Sequence, residues 1–454
     1  ENTTLRLDWN INDMHRLTYN YKDVSGNQTR GDASNRDTLS LYSARYIKTE
    51  STTTNSLHLV SDLSDNLISE FYYSTKETMT DQISPSGQNM PFFEIGDAFG
   101  YTIRFGPDIY RHANDLDTET TFFKGKLTYY LNDHKITAGY ENTLYDTYNV
   151  FIQNEDGSFE FDNLADFEAG IIGDYSASGS KTGIVSDAAA DFEYELSSFY
   201  LMDEYTVSDR MVLTAGIRYD DYSGDDTPTN QSFLDEYGFK NGGIKGTDLV
   251  NIRFGLDYII DDVSDINITL GTYSSKMPNV WISNAYTNTG VNIANYDEDF
   301  ATSACDTSTF GGLTFSGSNT KPDCVISSIS NPLNTSGKVD FIAPSFKWPE
   351  SRIFNLTYNR LLPGDANLTL TYLNSREEEA LYRMIDTGYP LIGDQPTVPT
   401  ETAPDGRPIY NQTGKNGYNA GLYNQCCGNR EVLSATFSKA FRDGDTLLSL
   451  SYTA

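Results

Sequence analysis

The chain has 454 residues, enough for two or three soluble domains or for one large barrel. Its formal charge of −32 excludes nucleic acid as a partner, because binding to phosphates requires clustered Lys and Arg. Hydrophobic residues make up 38% and the mean hydropathy is −0.48. Every apolar run is shorter than the roughly 18–20 residues of a transmembrane helix, so a helical membrane protein is excluded as well. Aromatic residues nevertheless reach 13%, and the 32 Tyr and 24 Phe favour β-strands and the interfacial girdles of membrane barrels.

The first predicted strand pair shows a pattern that recurs along the chain. Apolar and polar residues alternate from Leu5 to Ile11, a turn follows at Asn12-Asp13, and alternation resumes from Leu17 to Tyr21. A period of two indicates a strand whose two faces meet different surroundings. Asn, Asp, Ser, Gly and Pro allow the tight turn between two such strands. The same unit recurs at Ser64-Asp65-Asn66, Asn132-Asp133-His134, Ser208-Asp209, Asp261-Asp262, Pro363-Gly364-Asp365 and Asp443-Gly444-Asp445.

Long connections rich in Gly, Asn, Asp, Ser, Thr and Pro separate the seven predicted hairpins. Strict alternation of short and long connections is rare in soluble sandwiches. It is typical of outer-membrane barrels, which have tight periplasmic turns and long extracellular loops. Residues 1–454 are therefore predicted to be all-β, a segment of a transmembrane antiparallel β-barrel with about 14 strands. The predicted long loops are 25–50, 76–120, 147–191, 223–245, 275–350 and 377–429.

The polar positions of these strands should face the inside of the barrel. The outer face meets hydrocarbon, whereas the inner face meets water or a plug and tolerates charge. Cross-strand charge pairing is the simpler interpretation of these residues, and direct ligand contact is the alternative. The predicted lumen-facing residues are Arg6, Arg16, Lys126, Glu141, Arg218 and Arg253.

The four cysteines all lie in the last third of the chain, without the spacing of a metal site. Cys305 and Cys324 lie in a loop-like stretch, where a disulfide would close about 20 residues and stabilise the fold by roughly 3 kcal/mol. Such a bond fits a compartment outside the cytosol. The adjacent Cys426 and Cys427 could bridge each other, pair elsewhere or stay reduced.

No pattern of an enzyme is present. The four histidines are scattered, and the sequence contains no G-x-S-x-G, H-E-x-x-H or P-loop motif. Carboxylates are too abundant for a chance pair to indicate catalysis. They fit a solvated, self-repelling surface better than a cation site, because no spacing matches an EF-hand loop. We therefore expect no enzymatic activity, no cofactor and no metal site.

Four segments, in this order, resemble TonB-dependent outer-membrane receptors. Leu213–Asp220 is similar to a mid-barrel strand of that family, and Asn251–Tyr258 is similar to the strand that follows it. Met277–Tyr286 and Asp340–Pro349 resemble segments of its Oar-like branch.

The resemblance implies a 22-stranded barrel in the outer membrane, filled by an N-terminal plug that contacts the energy-coupling protein TonB. Both ends of the chain look truncated, so the plug domain and the terminal strands are expected to lie outside residues 1–454. The implied partners are outer-membrane lipid and the TonB complex, reached through the plug. A surface lipoprotein or another accessory protein is a further candidate partner.

The expected function is movement of a bulky solute, such as a peptide, an oligosaccharide or a metal chelate, across the outer membrane. Aromatic side chains in loops could bind it, since they offer large contact area at low entropic cost, although an interfacial girdle explains them as well. A passive porin and a secreted β-rich adhesin or carbohydrate-binding protein are the alternatives. The candidate ligand-binding residues are Trp281, Tyr286, Trp348, Tyr389, Tyr410 and Tyr423.

Overall fold

A computed structural model shows how the predicted strands assemble. The structure describes residues 1–31, 33–244, 247–274, 279–299, 305, 308–331, 339–385, 401–406, 408–409, 420–425, 427–441 and 446–454. Tyr389, Tyr410 and Cys426 lie outside the described residues, as does the predicted turn at residues 443–445.

The described chain contains short helices and strands of very different length. The helices are α1 (Leu164–Ala169), α2 (Gln231–Tyr237), α3 (Asn279–Thr287) and α4 (Asp323–Ile329). The strands are β1 (Asn2–Asn10), β2 (His15–Gly31), β3 (Thr38–Ser40), β4 (Arg45–Ser64), β5 (Leu67–Ile83), β6 (Phe92–Ala98), β7 (Tyr101–Phe105), β8 (Ala113–Leu131), β9 (His134–Ile152), β10 (Ser158–Phe161), β11 (Asp174–Ser180), β12 (Ala190–Ser208), β13 (Met211–Gly224), β14 (Leu249–Asp261), β15 (Ser264–Ser274), β16 (Ile293–Asp299), β17 (Asp340–Ile342), β18 (Glu350–Leu362), β19 (Ala366–Glu377), β20 (Ala380–Ile385), β21 (Glu401–Thr402), β22 (Pro408–Ile409), β23 (Ala420–Gln425), β24 (Gly428–Phe441) and β25 (Thr446–Thr453).

One large sheet, here called the wall, confirms the predicted hairpins. It has fourteen strands in the order β1-β2-β4-β5-β8-β9-β12-β13-β14-β15-β18-β19-β24-β25, and each pairs antiparallel with its neighbours. Tight turns join its strands at one end, the turn end, and long connections join them at the other, the loop end. Asn132 and Asp365 have positive φ in two of these turns, which Asn and Asp adopt more easily than most residues. The wall is open, because β1 and β25 each pair on one side only.

The predicted boundaries of three long loops were wrong, because the strands continue beyond the membrane. β4 has 20 residues, which at roughly 3.3 Å per residue and a 45° tilt rise about 45 Å, more than the apolar band of about 25 Å. Beyond that band both faces of a strand meet water, so the alternation used for the prediction disappears. Thr-rich pairs such as Thr52 and Thr78 continue the ladder there, with their hydroxyl oxygens 3.2 Å apart. The loops actually begin after Gly31, Ile83 and Ile152.

The long loops form structure of their own, which the sequence did not reveal. Four of them contribute strands to a second sheet, here called the cap sheet, in the order β16-β11-β10-β6-β7-β3. Two of its pairings, β10 with β6 and β3 with β7, are parallel, which is possible because the paired strands come from separate loops and not from one hairpin. The remaining described strands form a three-stranded sheet (β17, β23 and β20) and a two-stranded sheet (β21 and β22).

The two faces of the wall differ as the period of two predicts. Apolar side chains project from one face, here called the apolar face, and remain exposed: Leu7 is 55% exposed, Leu201 51% and Leu450 60%. A membrane supplies the apolar surroundings that such a face needs. The buried hydrophobic clusters contain mostly loop residues and strand residues near the loop end. None of the helices in the described ranges has the length and apolarity to cross a membrane.

We predict that Leu270→Arg, on the apolar face near the middle of β15, lowers the free energy of unfolding by about 2–4 kcal/mol. Thr269→Arg is the matched control, because the adjacent side chain points to the opposite face and can reach water. Urea midpoints in lipid vesicles, read from the different gel migration of folded and unfolded barrels, give both values. Equal losses in the two variants would show that the faces are misassigned.

Candidate functional site

All six predicted lumen residues project from the face of the wall opposite to the apolar side chains, here called the polar face. Five of them pair with an opposite charge: Arg6 Nε lies 2.8 Å from Asp8 Oδ2, Arg16 Nη2 lies 3.5 Å from Asp62 Oδ2, Lys126 Nζ lies 2.5 Å from Glu70 Oε1, and Arg218 Nη1 lies 2.7 Å from Glu141 Oε2. Arg253 instead lies over the ring of Tyr273, 4.9 Å from its centroid.

Arg218 is the centre of the most buried of these networks. Its Nε donates to Asp220 Oδ1 at 2.7 Å and its Nη2 donates to Ser198 Oγ at 2.8 Å, in addition to the contact with Glu141. Asp220 is only 1% exposed, so these donors supply the hydrogen bonds that its buried carboxylate needs. Asn251 Nδ2 supplies a further donor at 3.0 Å. Asp220 and Asn251 were missed in the sequence, although both have the parity of the polar face.

A small pocket of about 220 Å³ adjoins this network and is here called the wall pocket. Gly216 is one of the residues that line it. Four strands bring its side chains together, although their positions are far apart in the sequence. The polar-face side chains that line it are Glu141, Tyr200, Met202, Arg218, Asn251 and Arg253.

The candidate ligand-binding aromatics lie in a hydrophobic cluster that fixes the loops to the wall. Tyr286 is 3% exposed and stacks on Phe192 at 4.0 Å, and its hydroxyl donates to the Asp225 carbonyl at 2.5 Å. Trp348 is 4% exposed and stacks on Tyr222 at 3.9 Å. Trp281 and Tyr423 are partly buried against the same cluster. This packing gives Tyr286 and Trp348 a structural role and leaves little of either ring for a solute.

A disulfide between Cys305 and Cys324, with their Cα atoms 5.3 Å apart, braces the cap sheet. Both cysteines pack on a cluster in which Phe159 and Tyr175 are fully buried. Cys427 is also disulfide-bonded.

Two buried titratable groups join three loops beneath the cap sheet. The ring of His112 is neutral, because its Nδ1 accepts from the Asp156 backbone N–H while its Nε2 donates to the Pro107 carbonyl. Burial lowers the pKa of His112 to about 4. Burial, followed by the charge of Glu155, raises the pKa of Asp156 to about 6, although Thr320 donates to this carboxylate at 2.9 Å.

The model of one protein family, the outer membrane beta barrel domain, matches residues 1–453 of this chain. The chain belongs to this family. The outer membrane is therefore its location, as predicted from the alternation of turns and loops. No curated protein matches the chain.

Solved structures similar to this outer-membrane barrel segment are transporters and receptors. The outer membrane transporter YddB from Escherichia coli has a TM-score of 0.60 at 9% identity, over 99% of this chain and 47% of that chain. The siderophore receptor PirA from Pseudomonas aeruginosa has a TM-score of 0.52 at 12% identity, over 100% of this chain and 56% of that chain. The copper transporter OprC has a TM-score of 0.50 at 10% identity, over 100% of this chain and 52% of that chain. The chain thus spans about half the length of these structures and shares their fold.

We predict that Arg218→Met lowers the free energy of unfolding by about 3–5 kcal/mol, because it leaves Asp220 buried without its cation. Arg6→Met should cost about 0–1 kcal/mol, since that pair is exposed to solvent. Adding Asp220→Asn to Arg218→Met should recover part of the loss. Urea midpoints of the folded barrel measure all three. If Arg218→Met and Arg6→Met cost the same, the buried network does not stabilise the wall.

A second prediction concerns pH. Because the folded-state pKa of Asp156 is raised above 3.8 to about 6, its contribution to stability is complete below pH 3.8 and is lost as the pH rises through 6. Asp156→Asn removes this loss while keeping an acceptor for Thr320. At pH 7.5 the variant should exceed the wild type by up to about 3 kcal/mol, and the difference should vanish near pH 4.

The control for this prediction is Glu155→Gln, which should instead destabilise the loops at pH 7.5 by losing the ion pair with Lys321. Thermal midpoints from pH 4 to 7.5, followed by proteolysis of the loops, measure both variants. A difference between Asp156→Asn and the wild type that does not change with pH would contradict the raised pKa.

Proposed function

We propose that this chain forms the central part of the barrel of a TonB-dependent receptor, which moves a bulky solute across the outer membrane. The observation that carries the proposal is a wall with a charged polar face, covered at one end by a folded cap. A barrel lined in this way offers water-filled space for a polar solute. A cap sheet built from four loops offers a preformed surface on which a solute could first bind.

The open wall supports a larger barrel. In lipid, an edge strand leaves a row of backbone N–H and C=O groups without partners, so β1 and β25 require further strands. A complete barrel of 22 strands with an internal plug would satisfy them, and the plug would contact the TonB complex. The turn end would then face the periplasm and the cap sheet the exterior.

The similar structures include a siderophore receptor and a copper transporter, which makes a metal chelate one reasonable solute. Peptides and oligosaccharides remain alternatives. Membership of the Oar-like branch and an accessory lipoprotein remain predictions from the sequence.

Dependence on energy separates this proposal from a passive porin. Cells producing the complete receptor should accumulate at least one of three labelled probes, namely a ferric catechol chelate, an oligopeptide or a maltooligosaccharide. An uncoupler of the proton-motive force should abolish that uptake, because the plug blocks passive entry. The purified complete receptor should likewise give no steady conductance in planar bilayers.

The control is a strain that lacks the receptor but keeps its porins, in which uptake should be at background and unchanged by the uncoupler. Uptake that survives the uncoupler, together with steady pores in the bilayer, would identify a porin and overturn the proposal.

A further inference from the structure

We propose that the wall pocket binds a carboxylate that has an N–H donor beside it, as at the end of a peptide or at an acidic residue within one. The inference rests on the proposed function, since it requires that the polar face line the path of a solute or contact a segment inside the barrel. Its two supports are an unpaired cation, Arg253, and an unpaired buried acceptor, Asn251.

Arg253 is the one predicted lumen cation without an ion pair to the described residues. Its guanidinium lies over Tyr273, 4.9 Å from the ring centroid. Stacking on a ring uses the flat face of a guanidinium and leaves the N–H groups at its edge for an acceptor. Carboxylates are the acceptors that such an edge binds in two places at once. Arg253 therefore keeps the N–H edge of its guanidinium for an incoming anion.

Asn251 lacks a hydrogen-bond donor, whereas Arg253 lacks an acceptor. It is 1% exposed, and its Nδ2 is fixed towards Asp220, because a carboxylate can only accept. Its Oδ1 has no hydrogen-bond partner among the described residues. An unpaired buried acceptor is costly, and a bound N–H group would satisfy it.

The other groups of the pocket narrow the choice of ligand. Arg218 pairs with both Glu141 and Asp220 at 2.7 Å, so Arg253 is the cation of the pocket lining that is left to bind an anion. A volume of about 220 Å³ lies below the roughly 300–1,000 Å³ of pockets for whole small molecules, so it holds one functional group. Phosphate would satisfy Arg253 but offers Asn251 no amide donor. A carboxylate next to an amide N–H satisfies both.

Two sources could supply this group. One is a peptide solute, and the other is an acidic residue of a segment of the complete receptor that lies inside the barrel. Both present the same chemistry to the pocket, and they differ in whether the site is already filled in the purified receptor.

The experiment uses the complete receptor in detergent and titrates it with N-acetylglycine, with acetate and with N-acetylglycinamide. Acetate lacks the N–H donor, and the amide lacks the charge. N-acetylglycine should bind best, and Arg253→Gln should weaken its binding by about tenfold or more. Arg6→Gln is the matched control, because Arg6 lies on the same face but is paired with Asp8. It should leave binding unchanged.

If a segment of the receptor fills the pocket, the wild type will bind none of the probes. Arg253→Gln should then lower the thermal midpoint by several degrees more than Arg6→Gln does, and should do so without added ligand. The proposal is overturned if the wild type binds no probe and the two variants have the same midpoint, or if acetate and N-acetylglycinamide bind as well as N-acetylglycine. Energy-dependent uptake would stand in either of these cases, so failure here is distinguishable from failure of the proposed function.

Discussion

The constraint on which the rest of this structure depends is that a backbone in lipid must satisfy its own hydrogen bonds. Fourteen strands meet it by pairing each with its neighbour in chain order, which leaves only short turns at one end. The same constraint fixes the side chains, because a strand between lipid and water must alternate. Leu201 and Arg218 therefore lie near each other on adjacent strands, yet one meets hydrocarbon and the other a network of carboxylates.

The polar face depends on compensation among charges. Asp220 is almost completely buried, and Arg218, Ser198 and Asn251 donate hydrogen bonds to its carboxylate. Such a network holds four strands in one register, since a shift by one residue would turn its members into lipid. Arg253 and Asn251 depart from this compensation. In the wall pocket a ligand could complete the hydrogen bonding of both groups, as proposed above.

The loop end follows a different physics, that of a soluble domain. Its strands pair across loops, its aromatic side chains stack in buried clusters, and a disulfide joins Cys305 to Cys324 in α4. Rigid loops lose little entropy when they bind a partner. The aromatic residues that attract attention in the sequence, Tyr286 and Trp348, build this unit from within.

The sequence by itself determined the wall: its hairpins, its two faces and the position of charges such as Arg218 on the polar face follow from a period of two. That pattern is local, because each residue reports which medium its own side chain meets. Only the tertiary structure decided where the strands end, how four loops join in one sheet, and that Arg218, Asn251 and Arg253 share a pocket with Glu141. These depend on contacts between residues far apart in the chain. Outside the membrane both faces of a strand meet water, so no alternation in the sequence marks the part of a strand that lies there.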